Sequence, residues 1–113
     1  MGIANSKYID LTAGLQRVGN NEDLYKKLVA KFASSVDIAV FDTTDSTKDY
    51  AKMSEIVHAA KGVAGNLSLT AFFENSVVLM DSLRSGGTPI QSNVDEFRKL
   101  YHETVRAIDD YLS

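Results

Sequence analysis

Residues that interrupt helices are scarce in this sequence, and this feature most constrains its fold. The chain of 113 residues has a single proline, Pro89, and seven glycines, two of them adjacent at Gly86–Gly87. Between the breaks, apolar residues recur every three or four positions, which is the spacing of one face of an α-helix. The sequence therefore predicts an all-α protein.

Turn and capping signals divide the sequence into five predicted helices. They cover about residues 10–18, 20–41, 47–67 and 69–84, and the last begins between residues 88 and 92. Four long amphipathic helices joined by short loops are typical of an antiparallel four-helix bundle. The first helix is too short to span that bundle, and we expect it to pack Leu11 and Leu15 across one end. On the second helix, the apolar residues expected to face the core are Leu24, Leu28, Phe32, Val36 and Val40.

Length and composition fit one soluble globular domain over residues 1–113. The formal net charge is −3 and basic residues do not cluster, so we expect no nucleic-acid binding. Because the chain has no cysteine, it has no disulfide or thiol chemistry. The first ten residues lack a long apolar core, which predicts neither a signal peptide nor a membrane anchor and favours the cytoplasm.

A narrow apolar stripe on the third predicted helix determines the direction in which His58 points. The residues of this stripe are Tyr50, Met53, Val57, Ala60, Ala64 and Leu67. At about 100° per residue, His58 lies about 160° from Ala60, which is at the centre of the stripe. We therefore expect the imidazole of His58 to face outward.

Two glycines, Gly62 and Gly65, lie on the same outward face as His58. A glycine inside a helix costs about 0.8–1 kcal/mol relative to alanine, so helix stability explains neither of them. We interpret the two positions as clearance for a partner surface that approaches the imidazole. Ser54 and Lys61 lie one turn from His58 on either side and are expected to border the same contact.

The run from His58 to Leu67, with Lys61 and Gly62 three and four positions after the histidine, resembles the HxxKG signature of histidine-containing phosphotransfer (HPt) domains. The order and spacing of the predicted helices resemble this family over nearly the whole chain. The sequence departs from the family's pattern in two places. Ser68 stands where the family usually has glycine, and we expect it to cap the fourth helix. Met80–Asp81 occupies a region where the family often has glutamate.

The resemblance implies a phosphorelay intermediate. Nε2 of His58 would accept a phosphoryl group from an aspartyl phosphate on a receiver domain and pass it to the aspartate of another receiver. Lys61 would balance the charge of the phosphoryl group, and Gly62 would leave room for the receiver. The receiver would supply Mg²⁺ and most of the charge stabilisation, so this chain is expected to need no cofactor of its own.

The partners that the resemblance implies are response-regulator receiver domains and a hybrid sensor histidine kinase. Ser54, Gly65, Leu11 and Leu15 are the further residues expected to contact a receiver. We expect a monomer without nucleic-acid or membrane partners. The sequence has no Gly-rich phosphate loop, so it is not expected to phosphorylate itself from ATP.

Two other functions fit the same residues. The chain could be the phosphorylatable domain of a larger hybrid or chemotaxis-type kinase, although a start at Met1 favours an independent protein. It could also be a helical module that binds receivers without transfer, although the intact His58, Lys61 and Gly62 argue against this.

A metal site is not expected. Glu55 and His58 supply one Glu-x-x-His, but Lys99 precedes His102 where a second copy would need glutamate.

Overall fold

The computed structural model of the chain describes residues 7–41, 50–84 and 91–113. Over these ranges the secondary structure is helical, which confirms the prediction of an all-α protein. The described ranges contain five α-helices: α1 Leu11–Arg17, α2 Glu22–Ser35, α3 Tyr50–Leu67, α4 Thr70–Arg84 and α5 Gln91–Leu112. A 3₁₀ helix, Ile38–Phe41, follows α2. Within the described ranges, none of the helices combines the length and the apolar character that crossing a membrane requires.

Side-chain caps fix the beginnings of α1 and α2. The carboxylate of Asp10 accepts a hydrogen bond from the backbone N–H of Ala13, at 3.2 Å. Asn21, one of the two predicted caps of α2, accepts from the N–H of Leu24 at 3.1 Å. Between these helices Gly19 and Asn20 both have left-handed backbone, with φ of 65° and 61°. This conformation ends α1 and reverses the chain.

The second helix is shorter than predicted, and a different face of it is buried. It ends at Ser35 because Val36 is extended, with φ −88° and ψ 122°. Leu24, predicted to face the core, is 41% exposed, whereas its neighbour Tyr25 is fully buried. The hydroxyl of Tyr25 donates to the backbone oxygen of Leu67 at 2.6 Å, and this contact with α3 fixes the rotation of α2. The buried residues of α2 are Tyr25, Val29 and Phe32.

The four long helices surround one core. α2 contacts α3 and α5, α4 contacts the same two helices, and α1 contacts α2 and α3. On α3, the predicted stripe is buried from Met53 to Leu67, while Tyr50 is 36% exposed. At the centre lies a group of aromatic rings whose neighbouring centroids are 4.8–6.3 Å apart: Phe32, Phe41, Phe72, Phe97 and Tyr101. Burial of each such side chain stabilises the fold by about 1.5–3 kcal/mol.

The short connection between α3 and α4 also holds α1 in place. Ser68 has left-handed backbone, with φ 57°, and the N–H of Leu69 donates to the oxygen of Ala64 at 2.9 Å. These features form a Schellman turn, so Ser68 ends α3 and does not cap α4 as predicted. The oxygen of Ser68 accepts from the N–H of Asp10 at 2.9 Å. The short helix α1 therefore starts beside the C-terminal end of α3.

Candidate functional site

His58 is exposed at the middle of α3, where it is the ninth of eighteen residues. Its chain neighbour Val57 and nearby Ala60 are buried, so the helical wheel gave the correct direction for the imidazole. The imidazole of His58 has no hydrogen-bond or ion-pair partner among the described residues. A ring without such partners is free to react with a group that a second molecule brings to it.

Small side chains surround His58 on the outer face of α3. Ala59 and Gly62 are exposed and Ser54 is partly buried. A Cβ atom built on Gly62 would have nothing within 4 Å outside its own helix turn. Packing inside the described part of the fold therefore gives no reason for glycine at position 62, which leaves clearance for a partner as the interpretation.

Gly65 has a different explanation, because the fold itself uses the space. A Cβ atom at this position would lie 3.0 Å from Cε1 of Phe73 and 3.3 Å from its Cδ1. Glycine thus lets the ring of Phe73, on α4, pack directly against α3. The sequence interpretation grouped Gly65 with Gly62, but contact between α3 and α4 accounts for Gly65 without a partner.

Lys61 is partly buried and lines a cleft of about 380 Å³ that also includes Gly62 and Gly65. The last turn of α1 brings Arg17 into the lining of the same cleft. Sequence analysis missed Arg17, because 44 positions separate it from Lys61 and no motif connects them. The only local signal was a basic residue in the last turn of a helix.

An open apolar groove of about 660 Å³ runs between α2 and α3. Ala59, the neighbour of His58, lies in its wall, and Val63, which is 42% exposed, lies one turn further along. Charged residues border the groove, among them Lys31, Lys52 and Glu55. The apolar residues of the groove are Leu28, Phe32, Val36, Ile56, Ala59, Ala60, Val63 and Leu67.

Leu11 and Leu15, the apolar residues predicted to meet a receiver, are partly buried and packed against the core. Their helix begins beside Ser68, which is about 15 Å along α3 from His58. Packing accounts for the buried part of both leucines, and their contact with a receiver stays a prediction. The exposed apolar surface next to His58 belongs to the groove between α2 and α3, whose residues the sequence analysis had assigned to the core or left aside.

The residues that the structure describes contain no group of three His, Cys, Asp or Glu side chains able to hold an ion. Met80 is part of the core and Asp81 is exposed on α4. His102 is exposed on α5, and its ring centroid is 5.4 Å from that of Tyr101. No described arrangement around His102 resembles that around His58.

Comparison of the chain with protein-family models, curated proteins and solved structures gave no match. A function for this chain therefore has to be inferred from the motif at His58 and from the geometry around it.

Proposed function

We propose that this chain is a histidine-phosphotransfer domain that carries a phosphoryl group on His58 between receiver domains. In this proposal α2 to α5 form the antiparallel four-helix bundle of such domains. The observation that carries the proposal is an exposed imidazole with no hydrogen-bond or ion-pair partner among the described residues, one turn from Gly62, where an added Cβ atom would contact no described side chain. An unpaired nucleophile on a bare helix face suits a reaction whose other components arrive on another protein.

The proposed reaction moves one phosphoryl group between two side chains. Nε2 of neutral His58 attacks the phosphorus of an aspartyl phosphate, a P–N bond forms, and the P–O bond to the aspartate breaks. The aspartate leaves as a carboxylate. Mg²⁺ held by the receiver stabilises the charge on the transferred group. Transfer to a second receiver reverses these steps.

Lys61 has a suitable position to help in this reaction. It lies three residues after His58, hence on the adjacent turn of α3, and makes no ion pair with any described residue. Its flexible ammonium group can follow the charge that arrives with the phosphoryl group. This chain contributes mainly the position of the imidazole, because proximity and orientation supply much of the rate when two reactants are held together.

The apolar groove between α2 and α3 gives this proposal a docking surface. It borders His58 through Ala59, and its apolar walls are open to a helix of the receiver. A groove of this kind binds the apolar face of an amphipathic helix. We propose a cytoplasmic, monomeric carrier whose partners are response-regulator receivers and a hybrid sensor histidine kinase.

Incubation with phosphorylated receiver domains tests the proposal. The parent chain should acquire a phosphate that is labile in acid and stable in base, and His58→Gln should remain unlabelled. His102→Gln is the matched control, since it changes the other exposed histidine, and it should label like the parent. ATP alone should label none of the three proteins.

Two outcomes would count against this assignment. If His58→Gln were labelled as strongly as the parent, another residue would carry the phosphate. If receivers bound the parent without labelling it, the chain would be a helical module that binds receivers without phosphotransfer.

A further inference from the structure

The cleft beside Gly62 is positively charged although the chain as a whole is acidic. Arg17 and Lys61 are the charged residues among those that line it, and the chain has a net charge of −3. The other polar lining residues are Asn66, Ser68 and Thr70, none of which carries a negative charge. A cleft of this composition favours an anionic occupant.

The charged groups of Arg17 and Lys61 are unpaired within the described part of the chain. Neither Arg17 nor Lys61 has an ion pair or a side-chain hydrogen bond to a described residue. Arg17 lies in the last turn of α1, where any basic residue stabilises the helix dipole. That role would not require Arg17 to line a cleft that reaches α3.

The phosphoryl group on His58 is a poor candidate for this anion. His58 is not among the residues that line the cleft. The cleft extends from Lys61 along α3 to Thr70, at the start of α4. Lys61 lies one turn from His58 and can serve its phosphate, so Arg17 remains for an anion that comes from a partner.

We propose that Arg17 binds a carboxylate of the receiver and thereby sets the orientation in which the receiver docks on His58. This inference rests on the proposed phosphotransfer function. The cleft is lined by two cations and no acidic residue, so the receiver group that enters it is expected to be an anion, and a carboxylate is the anionic group that protein side chains supply. The planar guanidinium of arginine can bind a carboxylate through two parallel hydrogen bonds, which fixes orientation as well as distance.

The test measures phosphotransfer from the receiver domains encoded in the same genome, each phosphorylated with acetyl phosphate. For the receiver that transfers fastest, Arg17→Gln should raise KM by about five- to tenfold with little change in kcat, because a charge at the rim of an interface acts mainly on association. The dependence of KM on salt should also become weaker. Arg17→Lys should recover part of the loss.

Arg106→Gln is the matched control. Arg106 is exposed on α5, a helix that contributes no residue to the cleft or to the groove. This variant loses the same charge and should keep the parental KM. Direct labelling of His58 by phosphoramidate, a small donor that needs no docking, should be equal in the parent and in all three arginine variants.

The outcomes separate the two proposals. If no receiver and no phosphoramidate labels the parent, the proposed function fails and the role of Arg17 fails with it. If the parent is labelled but Arg17→Gln keeps the parental KM and salt dependence, only the role of Arg17 is overturned. If Arg17→Gln also loses labelling by phosphoramidate, Arg17 acts on the fold or on His58 and is not a docking residue.

Discussion

Gly62 and Gly65 are three positions apart on α3 and differ in what surrounds them. The space over Gly62 is open, whereas the ring of Phe73 fills the space over Gly65. A helix propensity scale treats the two alike, since each glycine costs about 0.8–1 kcal/mol relative to alanine. Their neighbours make the difference. A Cβ atom at position 62 would contact no described side chain, whereas a Cβ atom at position 65 would press on the ring of Phe73.

A bulky residue at position 62 should slow phosphotransfer without lowering the stability of the fold. Gly62→Gln should leave helicity unchanged or raise it, with a gain of about 0.5 kcal/mol in unfolding free energy from helix propensity. It should also slow transfer from a receiver, because the new side chain stands one turn from His58. Circular dichroism with urea unfolding measures the first effect, and the rate of receiver-dependent labelling measures the second.

Two variants serve as controls for Gly62→Gln. Ala30→Gln adds the same side chain at an exposed position of α2 outside the groove and should leave transfer unchanged. Gly65→Ala should bring no gain in stability, because its Cβ would press on Phe73. Unchanged transfer kinetics in Gly62→Gln would refute the interpretation of this position as clearance.

At the scale of the elements, the end of α3 determines how the helices meet. The left-handed residue Ser68 reverses the chain, and α4 begins two residues later at Thr70. The same turn offers its backbone oxygen to Asp10 at the start of α1. The left-handed conformation of Ser68 therefore helps to position α1, α3 and α4 relative to one another. It also gives a physical reason to expect glycine to be favoured at this position.

Replacing Ser68 with glycine should stabilise the protein. Left-handed backbone costs a non-glycine residue about 1–2 kcal/mol, part of which the greater freedom of glycine in the unfolded chain offsets. We expect a net gain of about 0.5–1 kcal/mol in unfolding free energy, or a few degrees in Tm. Ser68→Ala retains a Cβ atom and should bring no such gain. A Tm of Ser68→Gly below that of the parent would contradict the turn described here.

At the scale of the whole molecule, tyrosine hydroxyls connect helices that are distant in sequence. Tyr25 donates to the oxygen of Leu67 at 2.6 Å and joins α2 to α3. Tyr101 donates to the oxygen of Ala33 at 2.6 Å and joins α5 to α2. Burial raises the pKa of the Tyr25 phenol to about 12 and also raises the pKa of Tyr101. The fold thus keeps these phenols protonated at a pH where the unfolded chain loses the protons.

The difference between the tyrosine pKa in the folded chain and that in the unfolded chain predicts a loss of stability at alkaline pH. A raised pKa in the folded state contributes stability that is complete below about pH 10, the ordinary value for tyrosine, and disappears as pH rises toward 12. Unfolding free energy should therefore fall between about pH 10 and pH 12. Tyr25→Phe should be about 1 kcal/mol less stable at neutral pH, because it loses a hydrogen bond, and should lose less with rising pH.

Urea unfolding at a series of pH values measures both effects. Tyr50→Phe, at a position that is 36% exposed, is the control and should keep the parental alkaline slope. An equal loss of stability in the parent and in Tyr25→Phe over this pH range would show that Tyr25 is not responsible.

The sequence alone determined the helical class, the approximate ends of most described helices, the buried stripe of α3 and the outward direction of His58. These features are local, because the regular rotation of a helix fixes where one residue points once its apolar face is known. The motif at His58 also lies within a single helix, so the candidate nucleophile could be found without a fold.

Only the tertiary structure decided which face of α2 is buried, why Gly65 is glycine, where the apolar groove opens and that Arg17 lies with Lys61 in one cleft. Tyr25 is buried in place of Leu24 because its hydroxyl reaches Leu67, on another helix. Each of these features is a contact between residues that are distant in sequence. The pattern within one helix carries no information about which neighbour will pack against it, and that choice depends on how all the helices fill one core.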